Sequence, residues 1–377
     1  MDFNFTDEQE QLRDAVRRWV EKDFKFERRH ALAKAGGASR AVLAELNTLG
    51  LAGLNIAEEH GGMGFGAVEA MVVMEELGRG LVNAPYAQAA LLAPRVLAHA
   101  SAPTQAQWLP RIAEGQALVV LAQQERSARY RLDHCRTRAV ESGANWSLSG
   151  AKSVVPAGDE ADAFIVPARV SGADDAAEGI ALFLVAKGAP GLGVQGYPTQ
   201  DGARAAELAL HDTPATLLAA QGHGQLEAAV DVGIAAVCAE GVGLMDKLVL
   251  LTVEYMNTRK QFGATLASFQ ALRHRMADVK MQLELARSIS FYATLKLGEP
   301  PEQRRRALSQ AKVQLGRSMR AVGQECTQMH GGIGVTDEYI GSHYFKRLTM
   351  LEMAFGDTMH HLGEASARMQ DTAGVFA

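Results

Sequence analysis

The chain has 377 residues, 47% of them hydrophobic and 21% charged, the composition of a globular protein with a sizeable core and room for two or three domains of roughly 150 residues. With 38 basic against 43 acidic residues the formal net charge is −5, so nothing electrostatic favours a nucleic-acid or anionic-membrane partner. Three scattered cysteines, Cys135, Cys238 and Cys326, argue against a disulfide framework or a structural zinc site, and no apolar run approaches the ~20 residues that cross a bilayer.

The opening Met1-Asp2-Phe3-Asn4 lacks a signal-peptide pattern, so the expected location is cytoplasmic. Thr6-Asp7-Glu8-Gln9 has capping-box spacing, and Leu12, Val16, Trp19 and Val20 then recur on one helical face. A glycine-rich turn, Glu59-His60-Gly61-Gly62-Met63-Gly64, precedes a second helical run from Ala67 to Leu81. Residues 1–115 are therefore expected to form an all-α domain. From 116 to 222 the pattern changes to short apolar runs, Leu118–Leu121, Phe164–Val166 and Ile180–Val185. Turn formers such as Gly143-Ala144-Asn145 and Gly188-Ala189-Pro190 separate them. That spacing predicts a middle β domain, an antiparallel sheet or small barrel.

From 223 to 377 the helical period returns. Val230, Ile234, Val237, Gly241, Leu244, Leu248, Leu251 and Tyr255 form one stripe; further stripes run through Leu272–Ala286 and Leu308–Met329. Long amphipathic helices bury such stripes against each other, which predicts a C-terminal four-helix bundle and an α+β fold class. Gly233, Gly241 and Gly243 leave room for close helix approach, expected here in the core of an oligomer. Arg304-Arg305-Arg306, behind Glu302, reads as a solvated helix start.

A Gly-x-Gly-x-x-Gly string occurs at Gly191, Gly193 and Gly196, but Pro190 precedes it and Tyr197-Pro198 stands where a helix should open. It reads as a loop of the sheet domain, not as a dinucleotide site. Adjacent His360 and His361 would point about 100° apart on a helix and cannot share an ion, and His330 before two glycines reads as packing a helix end; no metal is expected. Two segments are more specific. Arg259-Lys260-Gln261-Phe262-Gly263, with Phe269-Gln270 after it, closes the first long stripe. Gln328-Met329-His330-Gly331-Gly332-Ile333-Gly334 closes the last, and its glycines let backbone N–H groups approach a ligand such as a phosphate.

These two segments, the Phe5–Gln9 start and the Glu58–Gly62 turn together resemble the acyl-CoA dehydrogenase family over essentially the whole chain. The resemblance implies a helical, β, helical three-domain flavoprotein that desaturates an acyl-CoA thioester, usually as a tetramer. It implies that Arg259, Phe262, Phe269, Gln270, Gln328, Gly331 and Gly332 hold the adenosine and pyrophosphate half of FAD across a subunit interface. An electron-transfer flavoprotein would be the acceptor.

The family reaction needs a carboxylate that takes the α-proton while a hydride leaves from the β-carbon. Counting from Gly331-Gly332, the usual Glu-Gly pair falls on Phe355-Gly356; the alternative position falls on Gly233, although a nearby family aspartate persists as Asp231, a weak substrate-binding candidate. The ring site differs too. Gln123–Tyr130 replaces the family's Thr-Glu-Pro-x-x-Gly-Ser-Asp, and Lys152–Ala157 puts Val154 and Pro156 where tryptophan and threonine belong. The resemblance therefore points to the glutamate-lacking subunit of bacterial α2β2 enzymes of the pimeloyl-CoA and steroid side-chain type, which completes the FAD site of a homologous catalytic subunit. Two alternatives stand beside it: a self-sufficient homo-oligomer with Glu352 or Asp357 as relocated base, and a non-enzymatic scaffold.

Overall fold

A computed structural model describes residues 4–37, 39–143 and 145–370. Met1–Phe3 of the opening and Ala144 of the Gly143–Asn145 turn lie outside them. The chain forms two compact units. One draws on residues up to His30, on Ala67–Val82 and on Ile234 onward; the other comprises Ala31–Gly66 and Asn83–Gly233. Among the described residues no helix is long and apolar enough to cross a membrane.

The first unit is helical. α1 (Asp7–Asp23) opens with the capping box the sequence predicts: Gln9 N donates to Thr6 Oγ1 at 3.3 Å and Thr6 N to Gln9 Oε1 at 3.0 Å. Its buried face, Val16, Trp19 and Val20, packs toward α4 (Ala67–Arg79), and Arg17 grips buried Glu76 with two hydrogen bonds. The rest of the unit is most of α7 (His223–Thr258), α8 (Gln270–Leu295), α9 (Pro301–His330), α10 (Ile340–Met353) and α11 (Thr358–Gln370). α9 is the central member, packing against α8, α10 and α11 through a buried stripe of Leu308, Ala311, Leu315, Met319, Val322 and Cys326. Each such leucine or methionine contributes roughly 1.5–3 kcal/mol of burial.

Glycines set the helix spacing. A Cβ on Gly243 of α7 would lie 1.9 Å from the Glu75 carbonyl oxygen, and one on Gly78 of α4 would lie 2.2 Å from that of Glu240. Gly241 likewise faces Met319 Sδ at 2.9 Å. The room left by Gly241 and Gly243 is thus filled within the chain, not by a neighbouring subunit as expected. A second correction concerns the arginine run. Arg304 and Arg305 are each only 8% exposed in the first turns of α9, because that helix start is covered, not solvated.

The second unit holds α2 (Phe26–Lys34) from Ala31 onward, α3 (Ser39–Thr48), α5 (Ala93–Leu97), α6 (Ala102–Ala113), a π-helical turn over Ala87–Leu92 and a seven-stranded sheet. The strands are β1 (Val119–Leu121), β2 (Arg138–Ser142), β3 (Asn145–Pro156), β4 (Ala163–Arg169), β5 (Ile180–Ala186), β6 (Leu192–Pro198) and β7 (Arg204–Ala219). The order β1-β4-β2-β3-β7-β5 closes through β4–β5, and β6 adds to β7. The sheet is a small barrel, but not wholly antiparallel: β1 runs parallel to β4. Gly193 and Gly196 of the string lie in strand β6, and only Gly191 lies in the turn that enters it. The string's glycines serve close approach, since a Cβ on Gly191 would sit 2.0 Å from the His211 carbonyl oxygen and one on Gly196 2.2 Å from Asp159 Oδ2.

Candidate cofactor and active site

The two glycine-bearing segments meet at one end of the helical unit. α7 stops at Thr258, and the chain turns through the short hairpin β8 (Lys260–Gln261) and β9 (Ala264–Thr265), with Leu266 N donating to Arg259 O at 2.9 Å. Phe262 and Gly263 take φ of 54° and 76° at the tip, the paired left-handed conformation of a two-residue hairpin turn. The Phe262 ring is 93% exposed and meets Phe269 edge-on at 6.3 Å. Gln270 begins α8 and is exposed, as is Arg259.

Tyr255, one turn before Arg259, packs on His330 with ring centroids 4.6 Å apart, and His330 packs in turn on Tyr339 at 4.9 Å. Cys326 O can only accept, so His330 Nδ1 donates to it (2.8 Å) and Nε2 accepts from the Tyr339 hydroxyl (2.7 Å). Burial lowers the His330 pKa and keeps the ring neutral. The stack fixes the end of α9 beside that of α7. Beyond it Gly331 takes φ 64°, ψ −143°, a region open only to glycine, and the Cβ positions of Gly331 and Gly332 meet nothing within 4 Å. Gln328 is exposed on the same turn. Arg259, Phe262, Phe269 and Gln270 are thus brought to the same end of the unit as Gln328, Gly331 and Gly332. An exposed cation, a projecting ring and uncovered backbone fit the phosphate and adenosine of a dinucleotide.

The loop between α10 and α11 carries Phe355-Gly356, where the resemblance places the family base. Phe355 sits there with φ 56°, and Gly356 follows at φ 113°. The loop is clamped from below. Lys312 of α9, with no exposed surface, donates to Glu352 O at 2.7 Å and Gly356 O at 2.8 Å. Burial pulls the Lys312 pKa down to about 8. His361 Nε2 donates to Phe355 O at 3.0 Å, and burial pushes its pKa down to about 3, so the ring is neutral. Glu352 Oε1 accepts from Thr358 N (3.0 Å), Thr358 Oγ1 (2.7 Å) and Arg320 (3.3 Å). Asp357 Oδ1 accepts from His360 N at 2.8 Å. Both carboxylates hold the start of α11, the ordinary task of acids at a helix N-terminus. Of the alternative pair, Gly233 is buried in α7 and Asp231 has no exposed surface.

The ring position lies on the barrel unit. Glu125, after β1, accepts from buried Lys152 (2.7 Å), Arg136 N (2.8 Å), Thr137 N (3.1 Å) and Thr137 Oγ1 (2.8 Å). Burial alone would raise its pKa, but Lys152 and these donors outweigh it and bring the carboxyl down to about 2. Lys152 begins a bulge in β3 against β7, at which Val154 adopts φ 52°. Its N–H is already spent on Glu207 Oε1 at 3.2 Å, and Glu207 also accepts from the Tyr197 hydroxyl at 2.9 Å. Pro156 has no N–H to offer. These residues do not fit a flavin ring that needs an aromatic wall and backbone or hydroxyl donors. Sequence reasoning missed Lys312, Glu207 and Tyr197. A lysine inside the apolar stripe of α9 was the one available signal.

Three family models match the chain in order: Acyl-CoA dehydrogenase, N-terminal domain, at residues 6–116; the middle domain at 121–212; and the C-terminal domain at 220–369. A long-chain specific acyl-CoA dehydrogenase, mitochondrial, of Sus scrofa is 29% identical over 89% of this chain and 80% of its own length. Among solved structures, the Tcur3481-Tcur3483 steroid ACAD G363A variant superposes with a TM-score of 0.88 at 26% identity, covering 97% of this chain and 99% of that one. A chain of the ChsE4-ChsE5 complex from Mycobacterium tuberculosis gives 0.89 at 25% identity, over 99% and 100%.

Proposed function

Because this chain belongs to the acyl-CoA dehydrogenase family, we propose that it is the subunit without a base in a hetero-oligomeric acyl-CoA dehydrogenase. In this reading it lends the adenosine and pyrophosphate half of an FAD site to a homologous catalytic partner. FAD supplies the acceptor for the β-hydride, and an electron-transferring flavoprotein carries the electrons onward. Arg259 and Gln328 bind and orient the phosphates, the backbone at Gly331-Gly332 donates to them, and Phe262 and Phe269 wall the adenosine. The α-proton is taken by the partner's carboxylate.

The observation that carries this reading is the loop at Phe355. An aromatic side chain stands at the family's base position, its backbone is fixed by Lys312 and His361, and the nearest carboxylates of the loop are occupied as helix caps. The barrel's Val154 and Pro156 lend further support. So does the likeness to the Tcur3481-Tcur3483 steroid ACAD variant and to the ChsE4-ChsE5 complex, each named for a pair of proteins. An apolar stripe on α8, with Met281 53%, Leu285 45%, Tyr292 37% and Leu295 49% exposed, is suited to cover by another subunit.

The test compares the chain purified alone with FAD and the chain co-expressed with a glutamate-bearing homologue. A panel of acyl-CoA thioesters and an artificial electron acceptor report turnover. Alone, the chain is expected to give none, and Phe355→Glu is expected to restore none, since the barrel half stays unsuited to the ring. Together, the two chains should co-purify with flavin and turn over. Turnover by the single chain that vanishes in Glu352→Gln overturns the proposal in favour of a relocated base.

A further inference from the structure

The barrel position that lacks ring contacts is not filled in. A hollow of about 630 Å³ remains there, floored by Ser153 and Val154 and walled by Gln124, Gln195 and Tyr197. It adjoins a second hollow of about 910 Å³, with which it shares Arg126, Ser153, Gln195 and Glu207. Volumes of this order accommodate a metabolite-sized ligand.

Its charges are specific. Arg126 and Arg129 line the first hollow, and Arg126 and Arg136 the second. The opposing carboxylates are largely neutralised. Glu125 is matched by buried Lys152, and Glu207 accepts from Tyr197 and Val154 while lying only 3.7 Å from Arg126. Arg136 stands 3.7 Å from Asp174, a carboxylate that Arg138 also contacts. The lining is therefore net positive on a chain whose overall charge is −5. Two residues at this spot, Arg129 (φ 51°) and Val154 (φ 52°), hold left-handed conformations that cost a non-glycine residue energy, a feature that concentrates at ligand-binding positions. Arg126 with Arg129 in the first hollow and with Arg136 in the adjoining one, beside the amides of Gln124 and Gln195, offer donors that match the oxygens of a phosphate ester and the polar body attached to it.

We propose that this hollow binds a small phosphorylated metabolite, its phosphates held by Arg126, Arg129 and Arg136 and its polar remainder lying along Gln124, Gln195 and Tyr197. The inference rests on the reading of the barrel half as released from flavin binding.

Calorimetric titration of the intact chain with inorganic pyrophosphate, ADP and coenzyme A tests it, the three probes separating a bare phosphate group, a nucleotide and a thioester carrier. At least one should bind saturably, with affinity falling as salt is raised. The double variant Arg126→Gln/Arg129→Gln should weaken that binding about tenfold or more. Glu207→Gln, which removes the opposing charge, should strengthen it. In Arg259→Gln, which removes the adenosine half on the other unit, the binding that depends on Arg126 and Arg129 should remain. Absence of binding at millimolar probe, or loss in Arg259→Gln with the double variant unaffected, overturns the proposal. Acyl-CoA turnover is a separate readout. Turnover by the chain alone removes the subunit reading, whereas a flat titration removes this one and leaves the subunit reading intact.

Discussion

Lys312 shows how one buried side chain can hold a whole loop. Its ammonium sits beneath the Phe355 loop and satisfies two carbonyls, Glu352 O at the end of α10 and Gly356 O in the loop before α11. Removing it in Lys312→Met should destabilise the fold by about 2 kcal/mol near neutral pH, the cost of orphaned buried acceptors less the relief of no longer burying a charge. The pH dependence is diagnostic. Folded Lys312 titrates near 8 and an unfolded lysine near its ordinary value of 10.5, so between those limits the unfolded chain holds the extra proton. This residue's contribution therefore makes stability rise as pH goes from about 8 to 10.5, and chemical denaturation at the two ends should show the rise in the wild type and its loss in Lys312→Met.

On the acid side the direction is the same: burial again lowers a base, His361, while charge and hydrogen bonds lower an acid, Glu125. His361 is held neutral down to about pH 3 and Glu125 ionised down to about pH 2. Their contributions are complete above the ordinary histidine and glutamate values and are lost as pH falls through the depressed ones. Acid unfolding of Glu125→Gln should accordingly be shallower below pH 4.5 than that of the wild type. Little of this was legible beforehand, because a lysine, a histidine and a glutamate far apart in sequence reveal their burial only when helices and strands are assembled.

At the scale of elements, the crossing of α4 and α7 is set by glycines that face each other's backbone. Gly243→Ala puts a methyl group into the Glu75 carbonyl, and because backbone rather than a flexible side chain must give way, a loss of roughly 3 kcal/mol or more is expected. A thermal melt compared with Gly224→Ala, where a Cβ meets nothing within 4 Å, isolates the steric cost. Gly331→Ala acts differently. It meets no neighbour but forces alanine into a glycine-only conformation, so it should cost about 1–3 kcal/mol and displace the adjoining backbone N–H groups.

Periodicity made the helices α1, α4, α7, α8 and α9 and three of the strands readable, and capping chemistry marked the start of α1. What it concealed was β6, where glycines broke the alternation of a strand because neighbouring chain passes too close for side chains. Left-handed residues such as Val154 and Phe355 were also hidden, since their backbone is imposed by tertiary contacts and not by local preference. The segments around Arg259 and Gly331 were legible as a candidate site because glycine and charge at helix ends have few other uses. Glu207 and Tyr197 were not, because two neighbouring strands supply them and only pairing brings them together.

For the whole molecule, the exposed stripe on α8 is the feature with the widest reach. Its side chains recur on one face of a helix in the same unit as the proposed adenosine half. Leu285→Lys combined with Tyr292→Lys should leave the melting behaviour of the chain nearly unchanged while shifting its sedimentation to a smaller species. A double variant that sediments like the wild type would assign assembly to another surface. A bare strip of methionine, leucine and tyrosine also has a consequence inside the cell. If the proposed companion covers that strip, molecules made in excess of it would find one another instead, and unbalanced expression should yield precipitate that simultaneous expression rescues.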